Sequence, residues 1–150
     1  MLREHFTFSH RLRVRWAEVD RQDVVFNGNY FLYFDVAIAE YWRAIGFDYP
    51  KEIVDAGMDI YAIKATAEYH GSAGYDDLLD VCCRVARIGR TSMVFLFGIW
   101  RGDEHLTSGE LVYVNADLAS KQSAPWPGFL RDRILAFERT RPEVVGQVVA

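Results

Sequence analysis

Polar and apolar positions alternate from the start of the chain. Leu12, Val14 and Trp16 fall on one side and Arg11, Arg13 and Arg15 on the other, the period of a half-buried strand. From Arg21 to Asn29 no period holds, and Asn27-Gly28-Asn29 carries turn and N-cap chemistry. The period then turns helical from Tyr30 to Ile45. Phe31, Phe34, Ile38, Tyr41, Trp42 and Ile45 share an arc of about 100°. Tyr30, Tyr33, Ala37 and Ala44 widen that apolar side, which leaves Glu40 and Arg43 opposite it as an intrahelical ion pair. Gly46 is placed to end the helix as its C′ residue.

Strand-like runs follow. Tyr61, Ile63, Ala65, Ala67 and Tyr69 alternate with Lys64, Thr66 and Glu68; Leu79, Val81, Cys83 and Val85 alternate with Asp80, Cys82 and Arg84. Gly89-Arg90 turns the chain into Thr91–Trp100, apolar on both faces, which reads as a central strand covered on both sides. Gly102-Asp103 leads into a last strand through Leu111, Val112, Tyr113, Val114 and Leu118. A short helix begins after Pro127, with Leu130, Ile134 and Phe137 in register. The expected fold is α+β. A curved antiparallel sheet of about five strands wraps around one long central helix, a short helix closes the C-terminus, and one domain spans residues 1–150.

Composition narrows the function. The chain has 150 residues, a net charge of −4 and 10 Phe, 8 Tyr and 4 Trp. The acidic balance speaks against nucleic acid, no apolar run is long enough to span a bilayer, and no signal peptide is evident. The aromatic excess calls for a large core, a subunit interface or an apolar ligand tunnel. Adjacent Cys82 and Cys83 fit reduced thiols, and hence the cytoplasm, better than a disulfide framework. There is no Gly-x-Ser-x-Gly elbow, phosphate-binding loop or dinucleotide fingerprint. The histidines at 5, 10, 70 and 105 have no ligand spacing, so no metal is expected.

What remains is the segment from Trp16 to Tyr30. It sets Glu18, Asp20 and Asp23 just before a helix N-terminus, where unpaired N–H groups gather roughly half a positive charge. An N–H aimed at a carbonyl oxygen stabilises a developing oxyanion, and a carboxylate beside it attacks or activates water. That pairing suits acyl-group hydrolysis. On composition alone the favoured reading is plainer, that these residues only cap the helix and shape its turn, because carboxylates near helix N-termini are commonplace.

The run Asp20-Arg-Gln-Asp-Val-Val-Phe-Asn-Gly-Asn-Tyr30, followed by Tyr33-Phe-Asp-Val-Ala-Ile-Ala-Glu40-Tyr-Trp-Arg43-Ala-Ile-Gly46, resembles the hotdog-fold thioesterases. The likeness is to the 4-hydroxybenzoyl-CoA thioesterase family in particular. Tyr69 to Leu78 is similar to that family's passage into the third strand, and Arg87-Ile-Gly-Arg-Thr-Ser92 to its hairpin. The resemblance covers about Phe6 to Leu135. It implies an acyl-CoA thioesterase, with Asp20 as nucleophile or general base and the backbone N–H at Asn27 polarising the thioester carbonyl. A thiol leaving group has a reference pKa of ~8.5, so a strong general acid is dispensable. CoA enters as part of the substrate, and no separate cofactor is implied.

Two departures matter. Asp23 stands where the family usually has Gly and is a further candidate base; the loop also lacks the His of some branches, which favours a carboxylate-only mechanism. Phe26, Gly28, Tyr30 and Tyr69 are expected to contact the acyl end, with Phe31 and Tyr33 as further wall candidates. His70 is a candidate contact at the rim. Arg90, Thr91 and Ser92 are expected to hold the CoA phosphates, ahead of Lys64, Arg87 and Lys121. Glu40 reads as structural, Glu18 as a distant third base, and Asp35 is assigned no chemistry. An apolar helix under a single sheet leaves one side uncovered, and the family's pairing into a continuous sheet implies a homodimer or homotetramer. Three alternatives stay open. A thioesterase for acyl groups on an acyl carrier protein would want a basic rim. A hotdog protein could bind acyl-CoA without turnover. A hotdog dehydratase would want a His near the helix.

Overall fold

The computed structural model describes residues 1–146. In chain order it has β1 (Phe8–Arg13), α1 (Asn29–Ala44), α2 (Lys51–Asp55), β2 (Met58–Tyr69), β3 (Leu78–Ile88), β4 (Ser92–Arg101), β5 (Glu104–Asp117), α3 (Gly128–Phe137) and β6 (Glu143–Val144). Five strands form an antiparallel sheet in the order β1-β3-β4-β5-β2, and the two-residue β6 adds in parallel to β3. The sheet wraps around α1 in the expected arrangement. β4 lies at the centre, and β2 is an edge strand.

The core is where the two periodicities meet. Met93, Phe95, Phe97 and Ile99 of β4 and Leu79, Val81, Cys83 and Val85 of β3 are buried on the helix-facing side. Against them α1 turns Tyr30, Tyr33, Phe34, Ala37, Ile38, Tyr41 and Trp42. The buried seam is therefore rotated from the expected stripe: Phe31 and Ile45 lie at its flank and the tyrosines near its middle. Tyrosine tolerates this because each hydroxyl finds a partner. Tyr41 donates to Glu138 at 2.7 Å, Tyr33 donates to Glu18 at 3.1 Å, and Tyr30 accepts from the Ala73 N–H at 3.3 Å. Phe34 stacks on Phe97 with ring centres 4.3 Å apart. Its ring occupies the space that a Cβ on Gly109 would need.

The C-terminus of α1 follows its sequence signal. Gly46 takes φ +74°, its N–H donates to the Arg43 carbonyl, and the Phe47 N–H donates back to Trp42. The Phe47 and Trp42 rings meet at 5.0 Å. This is the paired hydrogen bonding and apolar contact that stop a helix at a left-handed residue.

Three local expectations are corrected. Trp16 does not continue β1: Val14 is pinned to the Asp77 carbonyl at 2.9 Å, residues Trp16–Glu18 wind into a 3-10 turn, and the Trp16 ring lies exposed against Tyr75. In β2 a bulge at Ile63 shifts the register, so Tyr61 pairs with Val114 while Ala65 pairs with Leu111. Since Val114 and Leu111 project from opposite faces of β5, Tyr61 and Ala65 no longer share a face. The outer face of β4 is covered only in part, where Phe6 packs with Cys82, Trp100 and Leu96. Among the described residues, no helix is long and apolar enough to cross a membrane.

Candidate active site

The loop between β1 and α1 is held as a rigid unit. The Asp20 N–H donates to the Val24 carbonyl at 2.8 Å, the Asp23 N–H returns to the Asp20 carbonyl at 3.0 Å, and Val19 bridges Val25. The tip of this tight turn requires φ +61° at Asp23. That left-handed conformation favours Gly and is tolerated by Asp and Asn. The position therefore explains the departure noted in the sequence: the family's usual Gly and this chain's Asp are two answers to one backbone demand.

The Asp20 carboxylate is anchored through one oxygen. Its Oδ1 accepts the Gln22 N–H at 2.7 Å, and Oδ2 has no protein partner among the described residues. Asp20 lines a cleft of about 130 Å³ with Gln22, Val24, Asn27, Tyr30, Tyr69 and Ser72. The facing wall is tied to the loop by the Val25 N–H donating to the Ala73 carbonyl at 2.9 Å. Arg101 braces that wall from behind, donating to the Ser72 carbonyl and to Asp77.

The start of α1 reaches the same cleft through Asn27 and Tyr30. Gly28 is its N-cap and no side chain caps it. The N–H groups of Asn29, Tyr30 and Phe31 reach carbonyls three residues back, on Phe26, Asn27 and Gly28. The N–H groups of Asn27 and Gly28 find no acceptor among the described residues. Open donors at a helix N-terminus attract negative charge. The cleft thus brings together an anchored carboxylate with one free oxygen and a helix start with unused donors.

A model of the thioesterase superfamily matches residues 22–108. The chain belongs to the thioesterase superfamily. As a member it is a thioester hydrolase. A protein of Aquifex aeolicus, an esterase by its name alone, is 33% identical over 96 residues, which is 64% of this chain and 74% of that protein. The acyl-CoA thioesterase YbgC of Haemophilus influenzae is 25% identical over 121 residues, 80% of this chain and 88% of its own length. Among solved structures, the 1,4-dihydroxy-2-naphthoyl-CoA thioesterase of Synechocystis superimposes with a TM-score of 0.78 at 17% identity, covering 85% of this chain and 94% of that one. The fold is the hotdog fold.

Other residues of the thioesterase fall into clear groups. Glu18 is a structural carboxylate. Its Oε1 accepts the Arg15 N–H at 2.7 Å and the Tyr33 hydroxyl at 3.1 Å, while its Oε2 faces the Arg15 guanidinium. Burial pushes its pKa up, but these bonds outweigh that and leave it lowered. Asp23 is exposed at the turn tip and does not line the cleft. Phe26 is also exposed, with its ring over Gly28, where a Cβ would come within 3.0 Å of it. Glu40 pairs with Arg43 at 2.7 Å, as expected.

Two expected contacts lie elsewhere. β2 ends at Tyr69 and the chain bends at His70, which does not line the cleft that Tyr69 lines. Its Nε2 meets Ser108 Oγ at 2.9 Å, and its ring lies 4.9 Å from His105. The hairpin Arg90-Thr91-Ser92 sits at the far end of the sheet, where the Asn115 N–H donates to the Thr91 carbonyl and Asn115 pairs with Ile60. From Ile60 to Tyr69, nine residues of strand at ~3.3 Å each span about 30 Å. Within one protomer that hairpin does not reach Asp20.

Sequence reasoning missed Gln22, Gly71 and Ser72 in the cleft wall, because backbone hydrogen bonds set their positions. It also missed a second cavity of about 250 Å³, lined mainly by Ile38, Trp42, Ile60 and Tyr113 with Asp35 and Tyr49 at its polar edge. Burial there raises the Asp35 carboxyl above the ordinary carboxylate range. These residues come from distant parts of the sequence and carry no shared motif.

Proposed function

We propose that this thioesterase hydrolyses acyl-CoA, with Asp20 as the catalytic carboxylate and the open N–H groups at the start of α1, Asn27 foremost, as the oxyanion donors. The observation that carries the reading is their convergence on one cleft. As general base, the Asp20 carboxylate takes a proton from water while that water's oxygen bonds to the thioester carbon. As nucleophile, it attacks the carbon itself, giving a mixed anhydride that water then splits. In both routes the C–S bond breaks, its electron pair leaves on sulfur, and the thiolate is protonated. The donors stabilise the oxygen that becomes negative, a contribution of about 10²–10³ in kcat per donor in well-studied oxyanion holes.

The CoA handle requires a second copy of the chain. Among the described residues the outer edge of β2 pairs with no strand, and Ile63 of β2 and Leu32 and Val36 of α1 are exposed large apolar side chains. An unpaired edge with an apolar flank invites strand pairing. Antiparallel pairing of two β2 edges sets the Ile60 end of one protomer beside the Tyr69 end of its partner. The Arg90-Thr91-Ser92 hairpin of one protomer then lies on the side of the other's Asp20, where its cation and hydroxyls suit CoA phosphates. The buried free thiols of Cys82 and Cys83 fit a reducing cytoplasm.

Thiol release measured over a panel of short, long and aromatic acyl-CoAs tests this reading. Turnover of at least one CoA thioester is the expected result. Tight binding with no hydrolysis of any would overturn it in favour of an acyl-CoA-binding protein.

A further inference from the structure

The helix start that offers its donors to the cleft is held by an unusual bond. The Tyr69 hydroxyl, from the end of β2, donates to the Asn27 carbonyl at 2.8 Å. The same carbonyl receives the Tyr30 N–H only at 3.4 Å, so the phenol supplies the shorter bond. Apart from Asn29 Nδ2, which reaches the Glu18 carbonyl at 2.9 Å, no other side chain among the described residues bonds the backbone or polar groups of residues 27–29.

This matters because residues 27 and 28 lie at an uncapped helix start. Helix starts are usually steadied by a side-chain oxygen that accepts a backbone N–H. An oxygen placed on the Asn27 or Gly28 N–H would steady the turn but consume the donors an oxyanion needs. Tyr69 acts on the other end of the peptide: it grips the carbonyl of the Asn27–Gly28 peptide and leaves its N–H open. Donation to a peptide carbonyl also polarises the attached N–H, because hydrogen bonds in a chain strengthen one another. The ring, although half-exposed, also meets Tyr30 edge-on at 5.3 Å, a second contact that orients the hydroxyl.

We propose that Tyr69 is a positioning residue for hydrolysis, its hydroxyl holding the Asn27–Gly28 peptide by its carbonyl so that the Gly28 N–H of that peptide stays open toward the thioester oxygen, beside the open Asn27 N–H of the preceding peptide. The inference rests on the acyl-CoA thioesterase reading above. It assigns Tyr69 a role distinct from substrate contact, since the hydroxyl works through the backbone.

Tyr69→Phe tests it, because the ring and its packing on Tyr30 remain while the bond is lost. The loss of one oriented hydrogen bond is expected to lower kcat by about 10-fold and leave KM within about two-fold, since the donors act on charge that develops only in the transition state. The Asn27 carbonyl-carbon and Gly28 amide NMR signals of the free protein should move, with the rest of the spectrum retained. A merely packing role predicts neither change, and a substrate-contact role predicts a raised KM with unmoved Asn27 and Gly28 signals. Either pattern overturns the proposal. Wild-type hydrolysis that is abolished by Asp20→Asn but unaffected by Tyr69→Phe would overturn the Tyr69 role and leave the thioesterase reading standing. Absence of any wild-type hydrolysis would instead bring down that reading, and the positioning role with it.

Discussion

Gly109 is the most demanding single position in the packing of α1 on the sheet. A Cβ added there would lie 2.4 Å from Phe34 Cζ and 2.5 Å from Cε2, whereas carbon atoms rest at about 3.5–4.0 Å. The Phe34 ring would have to retreat by about 1 Å. It has nowhere to go: Phe34 is 1% exposed, Phe97 lies stacked beneath it, and Phe31 stands edge-on at 5.9 Å. Overpacking of this kind costs about 1–3 kcal/mol, offset by about 0.5–1 kcal/mol because Gly is a poor residue within an element. Taking the middle of each range, Gly109→Ala should destabilise by about 1.25 kcal/mol, and at about 2–4 °C per kcal/mol for a chain of this length Tm should fall by about 2.5–5 °C. Calorimetry checks this directly. Activity well below Tm should fall as well, because displacement of α1 by about 1 Å at its reactive end can cost up to ~100-fold. Phe34→Leu in the Gly109→Ala background should recover part of the loss by making room. A Gly109→Ala protein with unchanged Tm, or one that Phe34→Leu worsens by the full cost it has in the wild type, would refute the packing argument.

Two further outcomes follow from charge and assembly. Burial raises the Glu138 carboxyl, an effect only partly offset by the hydrogen bonds from Tyr41 and the Val85 N–H, and its buried Oε2 has no partner among the described residues. The folded state thus holds this proton to higher pH than the unfolded chain, so the contribution is complete below the unfolded pKa and is lost as pH rises through the folded one. Urea denaturation should show Glu138→Gln gaining on the wild type between pH 5 and pH 8; a constant difference would contradict the assignment. If the CoA handle is shared between protomers, mixing inactive Asp20→Asn with Arg90→Ala should restore activity, because one site of each mixed dimer is then wild-type in both parts. No recovery in verified mixed dimers would confine the handle to a single subunit.

The order of elements was legible because strand and helix periods differ so plainly on either side of Asn29. The β2 bulge was not: with Ile63 inserted, Tyr61, Ile63 and Ala65 still look like one face, though Tyr61 and Ala65 pair with residues on opposite faces. Trp16 fits the β1 alternation equally well, and only the bond from Val14 to Asp77 shows that the strand has ended. Asp20, Asn27, Tyr30 and Tyr69, all singled out in the sequence, line one cleft. The turn of His70 toward Ser108 was not legible, because the chain bends there as β2 ends. The distance of the Arg90 hairpin could have been inferred, because the eleven residues of β3 separate it from the Tyr69–Leu78 connection. The backbone bonds that shape the Asp20 turn and leave two helix donors open have no residue-type signature. Only coordinates reveal them.

The central claim concerns one carboxylate, and Asp20→Asn measured beside Asp23→Gly tests it most directly. Asparagine keeps an oxygen to accept the Gln22 N–H but loses the charge, while glycine at 23 suits the positive φ and removes the nearby alternative base. With the best acyl-CoA of the panel, Asp20→Asn should lose at least about 100-fold in kcat, the lower end of what a positioned acid–base group contributes, with its fold intact. Asp23→Gly should stay within about two-fold of wild type. The reverse ranking, or full activity in Asp20→Asn, would contradict the assignment.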